Sequence, residues 1–248
     1  MKIVDAKWEV RNLGCKTVEI TIEKSDRKKS LDAICTELER EIRAHDAMYV
    51  VVKVDTRYSD ISLRLQHEDY DLIEVQAINR LTREAAEQAL KQFAPFVEGV
   101  GYRAATPEDV EMVVREVKKG IFTTDRIALD PQFGIEIANL RYANWILDEV
   151  ARGTVLYLAT YNDAPIGFFI NRKKERGRVQ GLLTGLFTDE AVQGFGSLLD
   201  YASYQEMLDH GMRVLEGGVS MNNPRVVQIH QAYGQITTRL LNVFIKHL

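Results

Sequence analysis

The sequence predicts an α/β (α+β) chain in two segments, residues 1–98 and 99–248, each with strands covered by helices. Three observations predict it. Short apolar or alternating runs are interleaved with helical periodicity along the whole chain. "APFVEGVG" (94–101) carries Pro95, Gly99 and Gly101 and reads as a linker. In the second segment a long strand runs directly into Gly194-x-Gly196, which opens a helix.

The elements follow in order. "TVEITIE" (17–23) alternates as a strand does. "SLDAICTELEREIRAH" (30–45) puts Leu31, Ile34, Leu38 and Ile42 on one helical face behind Ser30 as N-cap. "MYVVVKV" (48–54) is a buried strand, "SDISLRLQ" (59–66) a short helix and "YDLIEVQAIN" (70–79) a strand. "TREAAEQALKQF" (82–93) is a helix capped by Thr82. After the linker, Thr106, Pro107 and Asp109 form a helix start of the capping-box type. A second helix spans 134–153. "TVLYLATY" and "PIGFFIN" flank "NDA" as a hairpin, and "RVQGLLTGLF" (178–187) is a third strand. The helix "GSLLDYASYQEMLDHG", the strand "RVLEGGVSM", the helix "NPRVVQIHQAYG" and the strand "ITTRLLNVFIKHL" complete the chain. "LRLQHEDYDLIE" and "VVQIHQAYGQIT" echo each other as a helix ending before a strand, a weak sign of an internal repeat.

Composition narrows the function. The net charge is −4 with no long basic run, which disfavours a nucleic-acid partner; "NRKKERGR" (171–178) reads as a solvated hairpin tip. The longest apolar run is too short for a bilayer and the N-terminus has no signal-peptide core, so the expectation is a soluble cytoplasmic protein without membrane insertion. Two cysteines, Cys15 and Cys35, make neither a disulfide framework nor a metal cage, so no metal is expected.

Gly194 and Gly196 are not a dinucleotide fingerprint, because Leu199 stands where the third glycine belongs, and no Gly-Lys-Ser/Thr follows to make a P-loop. A plain tight turn is the alternative. The order of elements around the glycines resembles the GNAT acetyltransferase superfamily over about residues 101–248. Its phosphate-cradling motif, Q/R-x-x-G-x-G/A, falls on Ala191-x-x-Gly194-x-Gly196, and its next motif falls on Asn223, Val226, His230 and Gly234. Ala191 replaces Gln or Arg, and His230 replaces Tyr. The resemblance implies a GNAT fold with a mixed, largely antiparallel sheet and acetyl-CoA as co-substrate. Its pyrophosphate would meet the backbone N–H groups of Gln193, Gly194, Phe195, Gly196 and Ser197. Thr184, Leu186 and Phe187 would flank the pantetheine arm, with Asn223 opening the next helix.

The first segment resembles the N-terminal part of dTDP-fucosamine (dTDP-4-amino-4,6-dideoxygalactose) N-acetyltransferases, itself a partial GNAT-like domain. That implies a primary amine on a nucleotide-linked amino-deoxy sugar as acceptor, and a homodimer. A peptide N-terminus, another small amine, or a non-catalytic acyl-CoA-binding domain are the rival readings. The resemblance puts His230 where the family keeps its proton donor to the thiolate; a structural histidine is the alternative. Tyr233, one helical turn on, is a second catalytic candidate or a packing residue. In the loop 120–134, Phe122, Asp125 and Arg126 are expected to touch the acceptor, and Asp130-Pro131 to turn the chain. Glu216 is a weak candidate for a general base.

Overall fold

The computed structural model describes residues 1–187 and 195–248. Among these, ten strands form one sheet: β1 (Lys2–Asp5), β2 (Thr17–Thr21), β3 (Tyr49–Asp55), β4 (Asp71–Thr82), β5 (Val100–Ala104), β6 (Leu156–Tyr161), β7 (Ala164–Lys174), β8 (Arg178–Leu186), β9 (Val214–Ser220) and β10 (Ile236–His247). The helices are α1 (Trp8–Leu13), α2 (Leu31–Ala44), α3 (Ser59–His67), α4 (Arg83–Phe93), α5 (Pro107–Lys118), α6 (Arg126–Leu129), α7 (Gly134–Ala151), α8 (Gly196–Asp209) and α9 (Pro224–Ala232). The strand order is β1-β2-β3-β10-β4-β9-β8-β7-β6-β5. Only β2–β3 and β8–β9 are parallel; every other described pair is antiparallel. The last strand thus lies between β3 and β4, so segments 1–98 and 99–248 contribute to a single interleaved sheet.

Local chemistry sets the element boundaries. Ser30, Thr82 and Asn223 accept N-cap hydrogen bonds from Ala33, Ala85 and Val226. At α5, Thr106 Oγ1 accepts from the Asp109 N–H and the Asp109 carboxylate from the Thr106 N–H, with Pro107 at the first turn. Asn162 and Asp163 hold φ of 48° and 65°, the left-handed pair that a two-residue hairpin between β6 and β7 requires.

The apolar core is split by the sheet. Val18, Ile20, Val50, Val52 and Val54 pack under α2 and α3, while Tyr49, Val51, Val243 and Ile245 pack against α6 and α7. In the second half Phe168 meets Phe122 on the α7 side, and Phe169 meets Tyr157, which in turn meets His210 at the end of α8.

The structure adds four elements to the sequence reading. β1, α1 and α6 are too short to carry periodicity, and β5 begins inside the expected linker, where Val100 and Gly101 pair with Tyr161 and Thr160. The basic stretch 171–178 is a hairpin tip only from Lys173 on. Asn171 is buried against Ser203 and Glu206, and Arg172 pairs with the buried Glu149. Among the described residues no helix is long and apolar enough to cross a membrane, and no cluster of His, Cys, Asp and Glu is arranged to hold a metal.

Candidate active site

The parallel pair β8–β9 is joined over four residues and then opens. Arg178 to Gly181 pair with Val214 to Gly217, and there the ladder stops. Two local features mark the opening. On its other side β8 pairs with β7, where Ile170 faces Leu183 but Asn171 faces Gly181, leaving Leu182 as the extra residue of a β-bulge. A bulge bends its strand and increases its twist, so β8 turns away from β9 at Leu182. At the last paired position a Cβ on Gly217 would stand 3.3 Å from the Gly181 carbonyl oxygen, so glycine lets the strands close tightly before they part. Beyond this point, among the described residues, β8 is paired only to β7 and β9 only to β4.

The slot opens into a cavity of about 1030 Å³ lined from both faces of the sheet. Asp200, Ser203, Tyr204 and His230 line it on the α8–α9 side, and Phe122, Asp125, Arg126, Tyr142 and Trp145 on the α7 side. The first half supplies Glu19, Lys53, Glu74 and Gln76 from β2, β3 and β4. Of the residues singled out from sequence, Thr184, Asn223, His230, Phe122, Asp125 and Arg126 share this cavity.

His230 is half-buried on α9. Its Nε2 lies 3.4 Å from Asp200 Oδ2, and its Nδ1 is 3.1 Å from the side-chain nitrogen of Asn79. Burial raises the Asp200 carboxyl above the usual carboxylate range, against the pull of His230 and a hydrogen bond from Tyr204. Tyr233 is placed differently. It is buried between Phe93 and Tyr204, its hydroxyl donates to the Ser197 carbonyl at 3.0 Å, and it does not line the cavity. Glu216 is tied to Arg178 on the surface.

On the α7 side, Phe122 is pinned: its N–H donates to Asn139 Oδ1 at 2.9 Å and its carbonyl accepts from Asn139 Nδ2 at 2.8 Å. Asp125 caps α6 through the Ala128 N–H. Arg126 is buried with Glu19 at 2.5 Å and Glu9 at 3.6 Å, and Arg141 holds Glu9 at 2.7 Å. Burial works to raise the Glu19 carboxyl, but Arg126, then Lys53 and Arg141, overcome it and hold it near 2. Asp130 serves the fold. It accepts from the Gln132 N–H, as the turn reading expects, and also meets His247 Nε2 at 2.8 Å. Sequence reasoning passed over Asn79, Asp200 and Glu74. Asn79 and Glu74 lie on a strand assigned to the other segment, and Asp200, one turn into α8 behind the glycines, matches no motif position of its own. Glu74 is buried on the cavity wall, and that burial pushes its carboxyl up, opposed by a hydrogen bond with Ser220.

The glycine loop is described only in part: Gln193 and Gly194 lie outside the described residues. Phe195, Gly196 and Ser197 begin α8 without a side-chain cap at Phe195, whose ring packs on Tyr161. A Cβ at Gly196 would meet Ile229 at 3.3 Å, so this glycine also lets α8 and α9 approach. Phe187 is buried in the core and its N–H is taken by the Ile166 carbonyl. Leu186 borders the same core.

No family model matches the chain, and no curated protein matches it. Solved structures do. A conserved protein of unknown function from Staphylococcus epidermidis superposes with a TM-score of 0.63 at 10% identity, over 94% of this chain and 84% of that one. A GCN5-related N-acetyltransferase from Sphaerobacter thermophilus gives 0.59 at 17% identity, over 94% and 72%. A tandem GNAT protein of the clavulanic acid biosynthesis pathway gives 0.55 at 15% identity, over 87% and 69%. The chain has the GNAT fold, with a mixed and largely antiparallel sheet.

Proposed function

We propose that the protein is an N-acetyltransferase that moves an acetyl group from acetyl-CoA to a primary amine. The observation that carries the reading is the slot between β8 and β9, opened by the Leu182 bulge onto a cavity with His230 in its wall. The residues present fit the co-substrate. Among the described residues, the edge of β8 toward β9 from Leu182 to Leu186 meets no strand partner, and its backbone groups suit the amides of a pantetheine arm. Thr184 is exposed to the cavity on that edge. The start of α8 at Gly196 and Ser197, together with Gln193 and Gly194, would receive the pyrophosphate, and Asn223 fixes α9 beside it. Bound there, acetyl-CoA supplies an activated acyl thioester.

The protein's own groups then handle protons. His230 Nε2 and the buried Asp200 carboxyl face each other at 3.4 Å, so a proton can be held between them. That proton can pass from His230 to the leaving thiolate, and the proton released by the attacking amine restores it. We assign this role to His230 and give Tyr233 a supporting one, since its hydroxyl braces the first turn of α8. Glu74 suits the incoming ammonium: a buried carboxylate on the wall both attracts the cation and can take its proton. For the acceptor we favour a nucleotide-linked amino-deoxy sugar. Phe122, Tyr142 and Trp145 offer rings for a sugar or base, and Asp125 offers a carboxylate for hydroxyls.

Thiol release from acetyl-CoA, followed with a panel of amino-sugar nucleotides, free amino sugars, polyamines and peptides, tests both levels. Turnover with any amine supports acetyl transfer, and preference for the sugar nucleotides supports the acceptor. Binding of acetyl-CoA with no turnover on any amine would leave a coenzyme-binding domain instead.

A further inference from the structure

The point where β8 and β9 part lies on a row that crosses four strands. Gly181 faces Gly217, Gly217 faces Asn79 on β4, and Asn79 faces Thr237 on β10. Above this row stands the His230 ring. Asn79 is 4% exposed, so its amide must find its partners within the protein. It finds two. Thr237 Oγ1 donates to Asn79 Oδ1 at 2.8 Å, and the Asn79 side-chain nitrogen lies 3.1 Å from His230 Nδ1. With its oxygen engaged by the hydroxyl, the amide turns its N–H₂ toward the ring, and in this arrangement Nδ1 accepts. A neutral ring then carries its proton on Nε2, the nitrogen that faces Asp200 Oδ2.

We infer that Asn79, set by Thr237, is a positioning residue that holds His230 in the Nε2–H tautomer, so that the ring exchanges protons on the side of Asp200 and the cavity. The inference rests on the reading of His230 as the proton donor only for its catalytic consequence. The tautomer itself is a property of the resting protein. Among the described residues, the groups facing the ring are Asp200 from α8 and Asn79 from β4. Asn79 lies in the segment ahead of the expected linker, so that segment would supply part of the proton-handling apparatus as well as sheet. An amide whose donor end faces Nδ1 also opposes a second proton there. A carboxylate in its place would invite one.

The experiment is imidazole nitrogen NMR on the full chain labelled at histidine, across pH, for the wild type, Asn79→Asp and Thr237→Val. The His230 signals are assigned by their loss in His230→Gln. The wild type is expected to show the Nε2–H form. Asn79→Asp, equal in size, is expected to place a proton on Nδ1 and to move the titration of the ring upward by about one to three pH units. Thr237→Val frees the amide to flip and is expected to give a mixture of both tautomers. In turnover, Asn79→Asp should lower kcat at least tenfold with the KM for acetyl-CoA little changed, and its pH profile should follow the ring. A wild-type ring protonated on Nδ1, or an Asn79→Asp ring that titrates as the wild type does, overturns the inference. If the tautomer responds as expected while kcat does not, the positioning role stands and the proton-donor reading of His230 falls.

Discussion

Helix α2 starts at Leu31 and α8 at Gly196; β3 and β9 start at Tyr49 and Val214, α3 and α9 at Ser59 and Pro224, and β4 and β10 at Asp71 and Ile236, each pair 165 residues apart. The lengths agree as well: 14 residues for the first helix of each set, then 7, 9 and 12. The two last strands pair with each other antiparallel at the centre of the sheet, so the sets are related by an approximate two-fold. They differ at one joint. In the first set Thr17 to Thr21 pair with Tyr49 to Lys53, and the Ile22 N–H extends the ladder to the Lys53 carbonyl. The equivalent residues of the second set, Leu182 to Leu186, have slipped: Val214 pairs with Arg178 instead, and the ladder ends four residues on. The side chains follow the backbone. Val52 stands where the second set has Gly217, Cys35 where it has Asp200, and Leu65 where it has His230. The first set is closed and its core filled with apolar groups; the smaller cavity beside it, about 310 Å³, has an apolar floor of Leu38, Leu65 and Tyr70 and charged groups including Glu39, Arg43 and Lys246. One architecture thus serves as ordinary core when its parallel strands stay paired, and as a site when a bulge turns one of them away.

The largest test of that contrast compares His230 with its counterpart Leu65. General acid catalysis is typically worth about 10²–10⁴-fold, so His230→Ala should lose about that much in kcat while acetyl-CoA affinity by calorimetry stays near the wild type. Leu65 is 1% exposed, and Leu65→Ala should cost about 2–5 kcal/mol of unfolding free energy in urea with kcat intact in the folded fraction. A His230→Ala enzyme that turns over normally would remove the chemical half of the contrast.

The next test crowds the junction where the open set begins. Gly217→Val copies the first set, and its Cβ would press on the Gly181 carbonyl at 3.3 Å. Overpacking of this kind typically costs about 1–3 kcal/mol. Because the strain falls where the slot begins, acetyl-CoA affinity should fall at least tenfold. Unchanged affinity would mean that the coenzyme does not depend on this junction.

Much of this contrast was written locally and could be read from sequence. Ser30, Thr82, Thr106 and Asn223 each cap a helix with a side chain that has no better local use, and the "ND" turn demands its backbone conformation. The echo between 63–74 and 226–237 falls on matching elements, the ends of α3 and α9 and the starts of β4 and β10, but at an offset of 163 residues where the elements keep 165. What could not be read was long-range. Nothing within "YDLIEVQAIN" tells that this strand pairs with β9 and β10, so Asn79 was invisible as a neighbour of His230 and Glu74 as part of the cavity wall. Nor can spacing reveal a register slip: the elements keep their 165-residue offset while the β8–β9 ladder moves by four. Tyr233 was read from helical adjacency to His230. Tyr233 instead lies past the last residue of α9, at its C-cap, and packs on Phe93 and Tyr204.

A smaller effect concerns charge. Asp200 binds its proton more tightly in the fold than in the unfolded chain, whose carboxyl titrates near about 3.9. Above that pH the native state therefore binds more protons than the unfolded one, and the Asp200 contribution falls as pH rises through the raised value. Asp200→Asn removes this loss. Its stability relative to the wild type, from urea midpoints, should improve as pH rises above about 4 while turnover drops. A variant that loses ground over that range would show that His230 more than repays the buried charge.

The smallest effect separates the two helix starts. Ser30 satisfies the first turn of α2 through the Ala33 N–H, and Ser30→Ala should cost about 1 kcal/mol by urea unfolding without altering coenzyme affinity. α8 begins at the equivalent place behind Phe195, which offers no side-chain acceptor. A helix start with free N–H groups is satisfied by water or by an anion. If the pyrophosphate is that anion, coenzyme A should slow hydrogen exchange at Gly196 and Ser197 and leave the first turn of α2 as it was. Dephosphorylated pantetheine should slow neither. Equal protection by pantetheine would move the phosphate away from α8 and leave the slot alone to hold the ligand.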